Sequence, residues 1–218
     1  MNPIRIVLAE DHIIVRKGIY SLLTQQPDME VVGEASTGYE AVALAESTEA
    51  DIILMDINMP ELNGLEATRQ IRRLQPSVKV LVLTMYSNEE YVLQLLQAGA
   101  AGYVVKQSIP AELITAIRAV HEGNTFLSPL IAKGVIDAYL HHAPAAEQGD
   151  NYSKLTDRER EVLQLLVEGF GVREIAVKLF ISTKTVGVHR ANLMEKLEVN
   201  NMVDLVKYAL RKGVIRLE

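Results

Sequence analysis

The sequence predicts a doubly wound parallel α/β sheet followed by an all-helical module. Three observations carry that prediction. Five short apolar runs punctuate the first 125 residues, each followed by a segment with helical apolar spacing. The last 66 residues hold only helical patterns, with a tight turn between two of them. Charge divides along the same line: residues 1–125 carry 9 Lys and Arg against 16 Asp and Glu, a net of −7, and residues 126–152 a net of −2. Residues 153–218 carry 12 against 9, a net of +3. An acidic part joined to a mildly basic one suits two modules with different partners.

The apolar runs are Ile4–Ala9, Glu30–Ala35, Ile52–Met55, Val78–Leu83 and Ala101–Val105. Strands buried on both faces are nearly continuous in apolar residues, and right-handed crossovers set helices on both sides of such a sheet. The crossovers are marked by Val15, Ile19, Leu22 and Leu23; by Ala41, Leu44 and Ala45; and by Leu65, Thr68, Ile71 and Leu74. Val92, Leu95 and Leu96, then Leu113, Ile117 and Val120, complete the set. Ser128-Pro129 looks like an N-cap with proline at the first helical position, opening a short helix to Leu140. The stretch from His141 to Asp150 has no apolar period and reads as a flexible linker; His141 and His142 lack a third metal ligand nearby. The domain boundaries expected are therefore 1–125, a linker over 126–152, and 153–218.

In the tail, Thr156 and Glu159 form a capping-box pattern ahead of Val162, Leu163 and Leu166. A second short helix holds Ile175, Ala176 and Leu179. Ser182 then caps a third helix over Thr183–Leu197, and a fourth runs from about Val203 to Lys212, with Gly213 after it.

Composition excludes several classes. There is no cysteine, hence no disulfide framework, Cys-ligated zinc or thiol nucleophile. No apolar run approaches the ~18–20 residues that span a bilayer, and Arg5 interrupts the N-terminal run, so no secretory signal is expected. A cytoplasmic location is the simplest expectation.

Chemistry concentrates where the strands end. The first run ends at Glu10 and Asp11, the third at Asp56, the fourth at Thr84 and the fifth at Lys106. In one parallel sheet these side chains share the carboxyl edge, where ligands gather. Three close carboxylates repel unless a cation holds them, and hard oxygen donors suit Mg²⁺. Lys106 can pair with a phosphoryl oxygen or with Asp56 itself. The chemistry that fits is attack of Asp56 on phosphorus to form an acyl phosphate. Phosphohydrolases of the haloacid dehalogenase type also use a strand-end aspartate, with an acid/base aspartate two residues later. Here that position is Asn58, which cannot exchange protons, so hydrolytic turnover is disfavoured and the chain is not expected to be an enzyme.

With Glu10-Asp11, Asp56 within Met55-Asp56-Ile57-Asn58-Met59-Pro60, Gly64, Thr84 and Lys106 in place, residues 1–125 resemble a response-regulator receiver domain. The resemblance implies a five-stranded flavodoxin-like sheet in the order 2-1-3-4-5 and phosphorylation by a histidine kinase. It implies that Asp56 accepts the phosphoryl group, and that Glu10, Asp11, Asp56 and the backbone carbonyl of Asn58 organise Mg²⁺. Thr84 and Lys106 would contact the phosphoryl oxygens, Tyr103 would take the aromatic switch position, and Asn58 and Tyr86 lie where family members tune phosphoryl lifetime.

The tail has the helix-turn-helix pattern. On its third helix Val186, His189, Leu193 and Leu197 share a face that should be buried. Lys184, Gly187, Val188, Ala191 and Asn192 lie towards the other side, flanked by Arg190 and Lys196, which suit phosphate contacts. Residues 153–218 resemble the LuxR-type DNA-binding domain of the NarL/FixJ family through Leu155-Thr156-Asp157-Arg158-Glu159-Arg160-Glu161-Val162-Leu163, Glu174-Ile175-Ala176, Phe180-Ile181-Ser182, Lys184-Thr185-Val186 and Val188-His189. That resemblance implies double-stranded DNA as a partner, with Thr183, Lys184, Val188, Arg190, Asn192 and Lys196 at the interface. It also implies a homodimer, with Val203, Val206, Lys207 and Leu210 on the pairing face. Family members often carry longer side chains at Gly187 and Ala191, so fewer direct base contacts and more reading of DNA shape are expected. The expectation is a phosphorylation-controlled transcriptional regulator; a receiver whose tail binds protein, and a phosphatase, are the alternatives.

Overall fold

A computed structural model describes residues 2–85, 89–129, 131–132 and 151–215. Tyr86, most of the helix expected to end at Leu140, and the His141-His142 linker lie outside the described residues. The chain divides into two compact units, Met1–His142 and Ala143–Glu218.

The first unit alternates strands and helices: β1 (Ile4–Ala9), α1 (Ile13–Thr24), β2 (Met29–Ala35), α2 (Gly38–Ser47), β3 (Ile52–Asp56), α3 (Gly64–Leu74), β4 (Lys79–Thr84), α4 (Glu89–Gln97), β5 (Gly102–Val105), a 3₁₀ turn at Lys106–Ser108, α5 (Ile109–His121) and β6 (Phe126–Leu127). The strands are all parallel, in the order 2-1-3-4-5-6. Alternate residues of each strand enter opposite cores. Ile6, Leu8, Ile52, Leu54, Leu81, Leu83 and Val104 meet Ile19 and Leu23 of α1 and Leu113 and Ile117 of α5. Val7, Ile53, Met55, Val80, Val82, Tyr103 and Val105 meet Ala41 of α2, Leu65 and Ile71 of α3, and Val92 and Leu95 of α4. The layers are those the apolar spacing predicts, and strand ends fall within a residue or so of the runs.

The strand count is a correction: six, where five were expected. Phe126 and Leu127, in the stretch assigned to the linker, pair with Gly102 and Tyr103 at the edge of the sheet. Two residues cannot display a period, so no sequence pattern separates such a strand from a loop. Beyond it, Ser128 is buried and its carbonyl accepts the amides of Ile131 (2.8 Å) and Ala132 (3.0 Å), starting a helix at the expected place. Its hydroxyl, expected to cap that helix, bonds elsewhere: it accepts from Val105 N–H at 3.2 Å and donates to the Glu112 carboxylate.

The second unit is helical: α6 (Asp157–Val167), α7 (Val172–Lys178), α8 (Thr183–Lys196) and α9 (Met202–Arg211). The capping box of α6 is formed reciprocally by Thr156 and Glu159. Ser182 caps α8 by accepting from Thr185 N–H at 3.0 Å. Val162, Leu163, Leu165, Ile175, Val186, Leu193, Leu205 and Ala209 are all fully buried and form the core of this unit.

Candidate functional site: a carboxylate cluster and a helix-turn-helix

The carboxyl edge of the sheet gathers the residues expected there. Glu10 and Asp11 follow β1, Asp56 ends β3, Thr84 ends β4 and Lys106 follows β5. Lys106 Nζ lies 2.6 Å from Glu10 Oε2 and 3.0 Å from Asp56 Oδ2. Glu10, Asp56 and Thr84 are fully buried. One ammonium thus sits between two buried carboxylates, with Asp11 beside them. Burial pushes the Glu10 carboxyl up, the Asp56 charge pushes it further the same way, and Lys106 opposes both. Asp56 Oδ1 is buried without a hydrogen-bond donor among the described residues. A buried carboxylate oxygen with no donor is unfavourable, so the position favours an incoming cation.

The loop after β3 explains how Asp56 is held. Gly64 N–H donates to Ile57 carbonyl at 2.7 Å, and a Cβ on Gly64 would lie 2.1 Å from the Asp56 carbonyl oxygen. Only glycine allows α3 to begin so close to the strand end. Asn63 caps α3 by accepting from Glu66 N–H at 3.0 Å. Gly38 N–H donates to Leu62 carbonyl at 3.1 Å, and a Cβ there would lie 2.1 Å from that oxygen, so the start of α2 is pinned to the same loop. Asn58 is half-buried two residues beyond Asp56. Arg16 Nη1 donates to the Glu10 carbonyl at 2.5 Å, fixing the turn after β1.

Tyr103 is 1% exposed, and its hydroxyl shares a hydrogen bond with the Thr84 side chain. Burial pushes its phenol up to about 12, against the opposing Thr84 bond.

One residue joins the cluster that the sequence reading passed over. His12 Nδ1 lies 2.8 Å from Asp11 Oδ1 and 3.2 Å from Glu10 Oε1, and its amide donates to Glu10 Oε1 at 3.1 Å. One ligand atom each from Glu10, Asp11, His12 and Asp56 fall within 4.8 Å of one another, so the group could hold a metal ion. Adjacency to Glu10-Asp11 was the only signal for it. Three carboxylates with one imidazole at the rim form a hard, oxygen-rich donor set that fits Mg²⁺.

On α8, Thr183, Lys184, Gly187, Val188, Ala191 and Asn192 are exposed, and nothing lies within 4 Å of where a Gly187 Cβ would be. Val186, Leu193 and Leu197 are buried on the opposite stripe, with His189 and Arg190 half-buried. Lys196 differs from its neighbours: its Nζ lies 2.6 Å from Glu159 Oε2. Glu159 also accepts Thr156 N–H at 2.8 Å and is itself buried, so the Lys196 charge answers an internal carboxylate. On α9, Val203 and Lys207 are exposed, and Val206 and Leu210 half-buried. No helix among the described residues is long and apolar enough to cross a membrane.

Residues 6–118 match the response regulator receiver domain, and residues 153–209 match the bacterial regulatory proteins of the luxR family. The chain is 39% identical over 214 residues to the oxygen regulatory protein NreC of Staphylococcus carnosus, covering 97% of this chain and 99% of that one. RcsB from Salmonella enterica serovar Typhimurium, solved bound to promoter P1flhDC with the phosphomimetic BeF3−, is 31% identical with a TM-score of 0.60, over 95% of this chain and 98% of that one. A structure of two RcsB dimers bound to two parallel DNAs gives 30% identity and a TM-score of 0.60, over 97% and 99%. The edge that gathers Glu10, Asp11, Asp56, Thr84 and Lys106 lies in the unit that holds the receiver match, and the capped helix-turn-helix lies in the luxR-family match. The chain belongs to the two-component response regulators of the NarL/FixJ family, a receiver domain followed by a LuxR-type helix-turn-helix domain.

Proposed function

We propose that the protein is a phosphorylation-controlled transcriptional regulator in which Asp56 accepts a phosphoryl group from a histidine kinase. The observation that carries this reading is Asp56 itself: buried at the end of β3, with Lys106 3.0 Å from Oδ2 and with Oδ1 lacking a donor among the described residues. An Asp56 oxygen attacks the phosphorus of a phosphohistidine. The P–O bond forms, the P–N bond breaks, and its electron pair leaves with the imidazole. Glu10, Asp11, Asp56 and the carbonyl of Asn58 would hold Mg²⁺, whose charge offsets that of the attacking and transferred oxygens. Lys106 then exchanges Glu10 and Asp56 for a phosphoryl oxygen, and the Thr84 hydroxyl exchanges Tyr103 for another. Tyr103 is thereby tied to the state of Asp56 through a shared partner.

Residues 153–218 bind double-stranded DNA, and the segment that follows β6 joins them to the receiver. Lys184, Val188 and Asn192, exposed along one side of α8, face the major groove, and Thr183 and Arg190 contact its phosphates. Lys196 enters this interface with its ammonium already on Glu159, so Lys184 carries more of the reading. A homodimer formed through Val203, Val206, Lys207 and Leu210 would present two recognition helices to paired half-sites. The RcsB structures, one of dimers on DNA and one on a promoter with a phosphomimetic, support the same use of this architecture. The protein acts in the cytoplasm, with one covalent phosphoryl per chain rather than repeated turnover.

The test uses the full chain with Mg²⁺ and a small phosphodonor. One acyl phosphate per chain, absent in Asp56→Asn, is the expected result; label elsewhere, or continued release of phosphate, would contradict it. Affinity for duplex DNA should fall steeply with salt, because phosphate neutralisation releases counterions. Lys184→Ala should weaken binding; unchanged affinity and sequence preference would remove α8 from the interface.

A further inference from the structure

The chain leaves the receiver through a residue bonded to the strand that carries the switch. β6 contributes only Phe126 and Leu127 to the ladder, opposite Gly102 and Tyr103. Ser128 then extends the pairing with both its main chain and its side chain. Its amide donates to the Tyr103 carbonyl at 3.0 Å, and its hydroxyl accepts from the Val105 amide at 3.2 Å. One fully buried serine therefore grips β5 on both sides of Val104, between Tyr103 and Lys106. The hydroxyl proton goes to the carboxylate of Glu112 on α5. A hydroxyl at the head of a helix normally caps that helix, and this one is diverted to the sheet. The helix it heads is instead held by Ile131, buried in the same core as Tyr103, Val92, Leu95 and Val105. Leu127 packs against that core as well.

We propose that Ser128 is a latch, with Glu112 as its keeper, that couples the Tyr103–Lys106 stretch of β5 to the first turn of the interdomain segment. Movement of Tyr103 or Lys106 strains the latch, and the segment leading to the DNA-binding unit changes with it. The coupling is reciprocal, so loosening the segment also changes how readily Asp56 is loaded. The latch rests on the phosphoacceptor reading of Asp56.

The experiment is hydrogen exchange by mass spectrometry on the full chain, with Mg²⁺ and with or without beryllofluoride as phosphoryl mimic. Wild type, Asp56→Asn, Ser128→Ala and Glu112→Gln are compared, alongside duplex DNA affinity. In wild type, beryllofluoride should change the protection of the amides from Ser128 to Ala132. Ser128→Ala should lose protection there in both states, and the gain in DNA affinity on adding beryllofluoride should shrink about tenfold, within the usual range of coupling factors. Glu112→Gln keeps an acceptor oxygen and should fall between the two. Unchanged protection in wild type while Asp56 is loaded would overturn the latch without needing any variant. A full DNA response in Ser128→Ala would overturn it too. If wild type responds to beryllofluoride no more than Asp56→Asn does, the phosphoacceptor reading fails and the latch falls with it.

Discussion

Phe180 holds a conformation that side chains avoid. Its φ is 53°, and its side chain is 95% exposed. It closes α7 as the left-handed residue of a Schellman motif: its amide donates to the Val177 carbonyl at 3.2 Å, and the Ile181 amide to that of Ala176 at 3.0 Å. Glycine is the favoured residue there, and a side chain in this region is unfavourable by about 1 kcal/mol. Phe180→Gly should therefore stabilise the helical unit by about that much, read as a higher denaturant midpoint. A lower midpoint would mean that the ring packs on something. Glu159 makes the opposite kind of prediction. Burial pushes its carboxyl up, but the Lys196 ammonium and the Thr156 amide and hydroxyl outweigh burial and hold it below the usual 4.5. A depressed folded value means that its contribution is present above pH 4.5 and is lost as pH falls through the lower folded value. Wild type should accordingly be more stable than Glu159→Gln near neutrality, and the gap should close in thermal unfolding followed down to pH 3. A gap independent of pH would place the effect in packing.

At the scale of elements, two glycines in helices predict opposite outcomes. A Cβ on Gly64 would meet backbone atoms of Asp56 and Ile57, which cannot yield without moving the end of β3. Gly64→Ala should destabilise the receiver by about 1–3 kcal/mol and slow phosphoryl transfer to Asp56. Gly18, within α1, has nothing within 4 Å of a Cβ, so Gly18→Ala should stabilise by about 0.5–1 kcal/mol. Equal effects in a chemical denaturation series would defeat the close-approach account. The same contrast explains what was legible in the sequence. β1, β3, β4 and β5 were readable because each is a largely apolar run that stops at a polar residue, so Glu10, Asp11, Asp56, Thr84 and Lys106 announced a common edge. The buried stripe Val186, Leu193 and Leu197 was readable from helical period. Partner choice across distance was not. The bond from Lys196 to Glu159 spans 37 residues, and that from Val105 to Ser128 spans 23. Nothing local to those residues names the partner. β6 was hidden for a different reason, being too short to show a pattern.

For the molecule as a whole, the carboxylate cluster sets stability against function. Glu10 and Asp56 share the Lys106 ammonium, Asp11 lies beside them, and Glu10 is pushed up by both burial and the Asp56 charge. Burial and carboxylate repulsion thus act on Glu10 together against Lys106, and the net of −7 over residues 1–125 adds to the repulsion. Removing one charge without changing shape should relieve the repulsion. Asp56→Asn is expected to stabilise the metal-free protein by about 1–3 kcal/mol, in line with other buried, like-charged groups, read as a higher thermal midpoint. Mg²⁺ held as proposed would relieve the same repulsion in wild type. An ion that binds only the folded cluster should make stability climb with the logarithm of its concentration, approaching about 1.4 kcal/mol per tenfold above the dissociation constant. The two relief routes act on one set of oxygens, so they should not add: Asp56→Asn should flatten the Mg²⁺ dependence that wild type displays. Thermal unfolding in chelator and across a Mg²⁺ series checks both parts. If the variant is less stable than wild type without metal, the Lys106–Asp56 attraction dominates and the cluster is not under strain. If both proteins climb equally with Mg²⁺, the ion binds away from Asp56.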